Sequence, residues 1–228
     1  MVEVVMWTAP VGVLALMAKV VLTSGLGILL TLAWYGATVL LGLAAHALLV
    51  YPLTVRAFSP VSPIAFFRAL REVHLTAFST SSSAATLAVN LRTAERAFGV
   101  PPRIAGFVLP LGATMNMDGT ALYQGVATVF IAQVYGVELD LAAQLSIVLT
   151  ATVASIGAAP VPGAGMVMLA VIITPLGLPI EGLALIFGID RFLDMCRTVV
   201  NVTGDAACAV IVAATEGEAL AIDAGGAR

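Results

Sequence analysis

The run Leu183–Ala214, LALIFGIDRFLDMCRTVVNVTGDAACAVIVAA, is almost wholly hydrophobic, yet it carries Asp190, Asp194, Arg197, Asn201 and Asp205. Relative to Asp190 the other four sit at offsets of 4, 7, 11 and 15. At about 100° per residue these positions fall within about 80° of arc, so three acids, one guanidinium and one amide share a stripe on a single helix. A charge at the centre of a bilayer costs about 2.5–3.5 kcal/mol on insertion scales. A segment that accepts this cost four times on one face is expected to bind something there.

Composition places the helix in a membrane protein. The chain has 228 residues, 61% hydrophobic and only 10% charged, with a net charge of -3. Lys19 is the only lysine, and no basic patch suggests nucleic acid. Cys196 and Cys208 are twelve residues apart on one helix, about 18 Å, too far for a disulfide. The start has no basic region or cleavage signal before the apolar run, so a removable signal peptide is not expected.

Working back from the stripe, Leu141 to Ile180 carries no charge, but its middle, Ser155–Gly165, holds three glycines and two prolines. These stop a helix and leave two arms too short to span, which predicts a re-entrant hairpin over 141–180. Ile104 to Val137 has one charge, Asp118, inside Thr114-Met115-Asn116-Met117-Asp118-Gly119-Thr120. A polar run with glycine there predicts a helix over 104–137 that is broken at mid-membrane. Residues 64–98 place charges at both ends and Ser79-Thr80-Ser81-Ser82-Ser83 at the centre, the pattern of a second re-entrant hairpin. Val4 to Leu22 and Gly27 to Tyr51 read as spanning helices, the latter ended by Pro52. His46, alone in its helix, reads as a packed residue. The polar tail from Glu216 is expected to fray.

Arg56, Arg68, Arg71, Arg92, Arg96 and Arg103 all fall between the span Gly27 to Tyr51 and the broken helix, on or beside the hairpin over 64–98, whereas Glu138, Asp140 and Glu181 lie beyond the broken helix. The positive-inside rule puts the first group in the cytoplasm, so the hairpins enter from opposite faces as in an inverted repeat. The fold class is therefore an all-α membrane protein with spanning helices, two oppositely oriented re-entrant hairpins and a broken helix. It divides into two spanning helices (1–58), a core (59–215) ending in the striped helix over 182–215, and a tail (216–228).

Arg197 offers a planar fork that matches a carboxylate, and Asp194, one turn earlier, can hold an ammonium. The pair reads as a clamp for a zwitterion with a second carboxylate, such as aspartate or glutamate, whose α-carboxylate rests on the serine-rich tip near Ser83. The competing reading is that Asp194 and Arg197 simply neutralise each other. Asp205 and Asp118 would be oxygen ligands for a hard cation such as Na⁺, alongside Asn116 and free carbonyls over Ser155–Ala158. Asp118 as a plain helix cap is the alternative.

Four ordered motifs, SSSAATL at 81–87, NMDGT at 116–120, SIG with PGAG at 155–165, and DMCRTVVNVTGD at 194–205, resemble the glutamate/aspartate transporters of the dicarboxylate/amino acid–cation symporter family. The resemblance covers nearly the whole chain and corresponds to the C-terminal part of that family. It implies cation-coupled symport of acidic amino acids by a multi-pass, elevator-type protein of the cell membrane, with no enzymatic activity. It implies substrate contacts from Ser81, Ser83, Thr120, Asp194, Arg197, Thr198 and Asn201, and a gate at Val161 and Gly165. Sodium would bind at three sites. The first takes Gly112, Asn116, Asn201 and Asp205; the second Thr114, Ser155, Ile156 and Ala158; the third Asn116 and Asp118. No cofactor is implied beyond Na⁺, or H⁺ as a coupling ion. Full-length relatives form homotrimers, and a chain that starts near the fifth family helix is expected neither to trimerise nor to transport alone. Ala84, Ala88 and Pro160 depart from the usual residues, as do Ser81 and Met195 where some members carry arginine; Arg191 is a candidate replacement. Asp190 is the natural partner for Arg191.

Three other classes stay open. A pore would use Asp118 and Asp205, with Arg197 awkwardly in the cation path. An intramembrane hydrolase would pair Ser83 with His74, or Asp194 with Asp205. An accessory membrane subunit would use none of these groups.

Overall fold

The computed structural model describes residues 25–221, together with 14, 15, 18, 21 and 22. The expected span Val4 to Leu22 therefore lies largely outside the described residues, as does the end of the tail. Among the described residues every element is helical.

The first helix, α1 (Gly27–Phe58), is 32 residues long and contains a π-helical turn at His46–Val50. It does not end at Pro52, as the sequence suggested. Proline removes one backbone donor and its ring presses on the carbonyl four residues back. The π turn just before Pro52 widens the backbone there, and the helix continues for another six residues.

Short helix α2 (Pro63–Ala69) leads into α3 (Arg71–Thr80) and α4 (Ser83–Phe98), which pack on each other as a helix–turn–helix. The turn rests on Ser81, at φ 50°. Ser82 then caps α4, its hydroxyl accepting from Ala85 N at 3.2 Å. Helices α5 (Pro102–Met115) and α6 (Asp118–Val134) are separated by Asn116 and Met117, whose backbone is non-helical. A second helix–turn–helix follows in α7 (Leu141–Ile156) and α8 (Ala164–Ile173), capped at its start by Asp140.

The last helix, α9 (Gly182–Thr215), occupies the centre. It packs against α1, α3, α4, α5, α6 and α8. Its apolar window is 67% buried, whereas that of α1 is 22% buried and exposes Leu29, Leu30, Trp34, Leu41 and Leu48. Polar groups on α9 are thus enclosed by protein, the setting in which charge is tolerated at membrane depth.

Residues 216–221 do not fray. Leu220 is buried, Ala221 N donates to Phe98 O at 2.9 Å, and Glu218 pairs with Arg103. The α4–α5 corner supplies a backbone acceptor and a cation that composition alone does not reveal.

Candidate functional site

All five stripe residues are buried. Arg197, 1% exposed, donates from Nη1 to Asp190 Oδ1 at 2.9 Å and from Nη2 to Asp194 Oδ1 at 2.7 Å. Its Cζ lies 3.7 Å from the centroid of the Tyr123 ring, a cation–π contact from α6. The pairing of Asp190 with Arg191 is not what forms. Arg191 is partly exposed and lies 3.9 Å from Asp194 Oδ2. Asp190 and Arg197 are two turns apart on the same face, and a fully buried guanidinium is better satisfied by two carboxylates than by one. The mutual neutralisation of Asp194 and Arg197 is present, and Asp190 shares in it.

The second helix–turn–helix closes over this triad. Gly163 N donates to Asp194 Oδ2 at 3.0 Å. Gly165 lies so close that a Cβ there would fall 3.2 Å from Thr120 Cγ2 and 3.4 Å from Arg197 Nη2. Gln124 Nε2 holds the Gly165 carbonyl at 3.2 Å. Gln124 and Tyr123 were missed by the sequence reading; a glutamine inside an apolar helix four residues beyond Thr120 was the available signal. Val161 is exposed at the turn.

The two turns meet. Pro160 O accepts from Ser82 Oγ at 2.8 Å and from Ala84 N at 3.3 Å. Ser81 and Ser83 are buried beside this contact, and the Ser81 hydroxyl has no hydrogen-bond partner among the described residues. His74 is bonded to Thr203 Oγ1 at 3.0 Å, not to Ser83, so the hydrolase dyad is not assembled. Cys196 and Cys208 are free thiols.

The α5–α6 break docks on the lower stripe. Asn201 Oδ1 accepts from Gly119 N at 2.8 Å, and its Nδ2 donates to Thr120 Oγ1 at 3.1 Å. Asn116 Nδ2 reaches Asp205 Oδ1 at 3.1 Å and Asn201 O at 3.3 Å. A Cβ on Gly112 would lie 2.6 Å from Asp205 Oδ1, so only glycine lets α5 approach this carboxylate. Among the described residues the Asp118 side chain bonds to no backbone N–H of α6. Its Oδ2 instead meets His46 Nε2 at 3.2 Å and Tyr51 Oη at 3.0 Å, giving His46 a specific partner.

The structure thus brings together Gly112, Asn116, Thr120, Gly165, Asp194, Arg197, Asn201 and Asp205. The Thr198 hydroxyl donates to Asp194 O at 2.8 Å. Ser155 and Ala158 are buried near the start of the second turn, where Ser155 O accepts from Ala158 N at 3.1 Å. Ile156 has no side-chain oxygen and the Thr114 hydroxyl donates to Leu111 O at 2.9 Å, which leaves their carbonyls as the groups to offer a cation. Among the described residues no cluster of three or more histidine, cysteine or acidic side chains could hold a metal. The Asn116 amide turns its nitrogen to Asp205, and the oxygens beside it are the Asp205 carboxylate and the Asn201 carbonyl, which suit a hard cation rather than a transition metal.

Comparison with known proteins gives one consistent result. Over 214 residues the chain is 46% identical to Excitatory amino acid transporter 1 of Homo sapiens, covering 93% of this chain and 40% of that protein. It is 45% identical to an Excitatory amino acid transporter of Caenorhabditis elegans, covering 93% and 42%. With Excitatory amino acid transporter 3 of Mus musculus it shares 47% over 206 residues, covering 90% and 39%. The chain therefore spans about two fifths of the length of the curated relatives it matches. Such relatives are transporters rather than enzymes, and they make the helical assembly an all-α membrane protein. The model of the Sodium:dicarboxylate symporter family matches residues 1–215, and the chain belongs to that family.

Proposed function

We propose that this chain forms the substrate- and cation-binding part of a carrier that moves aspartate or glutamate across the cell membrane together with sodium. The observation that carries this reading is Arg197, fully enclosed yet facing two carboxylates and the second turn. The side-chain carboxylate of the substrate takes the place of Asp194 Oδ1 on the arginine fork, a bidentate match. Asp194, released from Arg197, accepts the ammonium, and Thr120, Thr198 and Asn201 flank the ligand. The α-carboxylate rests against Ser81 and Ser83. Val161 and Gly165 belong to a gate that opens when the Gly163–Asp194 bond breaks.

In this proposal the two helix–turn–helix units (64–98 and 141–180) are re-entrant from opposite faces, residues 59–215 form the mobile core, and of the two spanning helices in 1–58 the first belongs to the scaffold side and the second moves with the core. The core moves as an elevator through a homotrimer of the longer protein. Sodium, a transported ion, takes oxygens from Gly112, Asn116, Asn201 and Asp205. A second ion uses Thr114, Ser155, Ile156 and Ala158, and a third Asn116 and Asp118. A self-neutralised structural triad is the second reading, favoured by the two short ion pairs of Arg197; it predicts no ligand binding. Isothermal titration of the purified protein with L-aspartate at increasing sodium decides between them. Affinity that climbs with sodium is expected, and an affinity indifferent to sodium, or no binding, overturns the proposal.

A further inference from the structure

The π turn His46–Val50 has a geometric consequence. In an α-helix, residues five apart diverge by about 140°. The i→i+5 bonding of a π turn brings them onto one side. His46 and Tyr51 are such a pair: their rings meet edge to face, with centroids 4.9 Å apart at 90°. Both polar ends reach the same atom, Asp118 Oδ2, at 3.2 and 3.0 Å. Among the described residues no hydrogen bond falls on Asp118 Oδ1. Tyr51 is 4% exposed, and its hydroxyl also lies 2.9 Å from Val200 O, the carbonyl beside Asn201 on α9.

We infer that Tyr51 is a positioning residue for the cation at Asp118: with His46 it pins Oδ2 to α1, turns Oδ1 toward the ion, and links the ion to the substrate helix. The link follows from proton counting. A phenol has one proton, and two acceptors compete for it, the Asp118 carboxylate and the Val200 carbonyl. Shared between them, that proton ties the carboxylate to the α9 backbone, and a cation on Oδ1 leaves the tie in place. The backbone of α9 between Thr198 and Asn201 is then held in place when the ion is bound. The π turn is what makes this possible, since an α-helical turn would point one of the two side chains away. This inference rests on the proposed cation role of Asp118.

The test is a sodium titration of thermal stability on the full chain, without aspartate and against choline, for wild type and Tyr51→Phe. The substitution keeps the ring and removes one oxygen. The expected result is a sodium midpoint raised about three- to tenfold, the effect of losing one hydrogen bond of ordinary net strength. Aspartate affinity at saturating sodium should fall as well, because the tie to the α9 backbone is lost with the hydroxyl. If Y51F does not retain wild-type helicity by circular dichroism, His46→Ala replaces it, because it removes the other hold on Oδ2 and should raise the midpoint likewise. An unchanged midpoint in the folded variant overturns the inference. A wild-type protein with no sodium response overturns both this inference and the proposed coupling. Sodium response without aspartate binding overturns only the proposed substrate, since the midpoint comparison still decides the role of Tyr51.

Discussion

Replacing Arg197 by alanine removes the one cation from a buried triad. Asp190 and Asp194 stay behind at 6% and 8% exposure, having lost partners at 2.9 and 2.7 Å. Breaking a buried pair by deleting one member costs about 3–5 kcal/mol, because the remaining charge has no compensation. Here two carboxylates are stranded a turn apart, although Gly163 N still holds one oxygen of Asp194. A loss of about 3–5 kcal/mol is therefore expected, a large share of the 5–15 kcal/mol typical of folded domains. Equilibrium unfolding in mixed micelles, followed by far-ultraviolet circular dichroism, measures it. A triple variant, Arg197→Leu with Asp190→Asn and Asp194→Asn, removes all three charges and should recover most of the loss. Neither variant should bind L-aspartate by calorimetry. A loss under about 1 kcal/mol for R197A would refute the burial argument. Aspartate affinity preserved in the triple variant would refute the clamp.

Two further outcomes follow from contacts elsewhere at the site. Gly119→Ala places a Cβ 2.8 Å from the Arg197 carbonyl, a backbone atom that cannot swing aside; the thermal midpoint should fall by the equivalent of about 1–3 kcal/mol, and an unchanged midpoint would contradict the close approach of α6 and α9. Ser82→Ala removes both the α4 cap and the bond to Pro160 O at 2.8 Å, a loss of about 1–3 kcal/mol; hydrogen exchange over 157–163 should accelerate, and unaltered exchange would mean the two turns do not hold each other.

Much of this arrangement was legible in the sequence because it is periodic. A buried stripe on one helix follows from 3.6-residue spacing, the break at Gly157–Gly163 from glycines and prolines that cannot continue a helix, and the break at Asn116–Met117 from a polar run with glycine inside an apolar segment. What stayed hidden depends on groups brought together from distant segments. Asp190 was assigned to its neighbour Arg191 because sequence favours short separations, whereas burial selected Arg197 two turns away. His46 looked like an isolated packed residue because its partner Asp118 is 72 positions away and the π turn that aims it has no sequence signature. Pro52 looked like a terminator because the widening that accommodates it lies in an unremarkable aliphatic run. The tail looked free because its acceptor, Phe98 O, is a backbone atom.

The proposed coupling of ion and substrate needs no contact between them. In that proposal Arg197 is the substrate end of the stripe and Asp205 the cation end, about two turns further along α9. Between them Gly119 lies against the Arg197 carbonyl and donates to Asn201, and Asn116 spans the Asn201 carbonyl and the Asp205 carboxylate. A cation on Asp205 must displace or share the Asn116 amide, and that amide belongs to the break that sets where α6 begins. Where α6 begins fixes Thr120, which packs on Gly165 of the proposed gate. Each ligand thus favours the same placement of the α5–α6 break on α9. Linkage then requires each to tighten the other by the same factor, about 5–150-fold for coupling of 1–3 kcal/mol. That is comparable to one or two of the hydrogen bonds at stake, so the few polar contacts on this helix suffice for the coupling proposed.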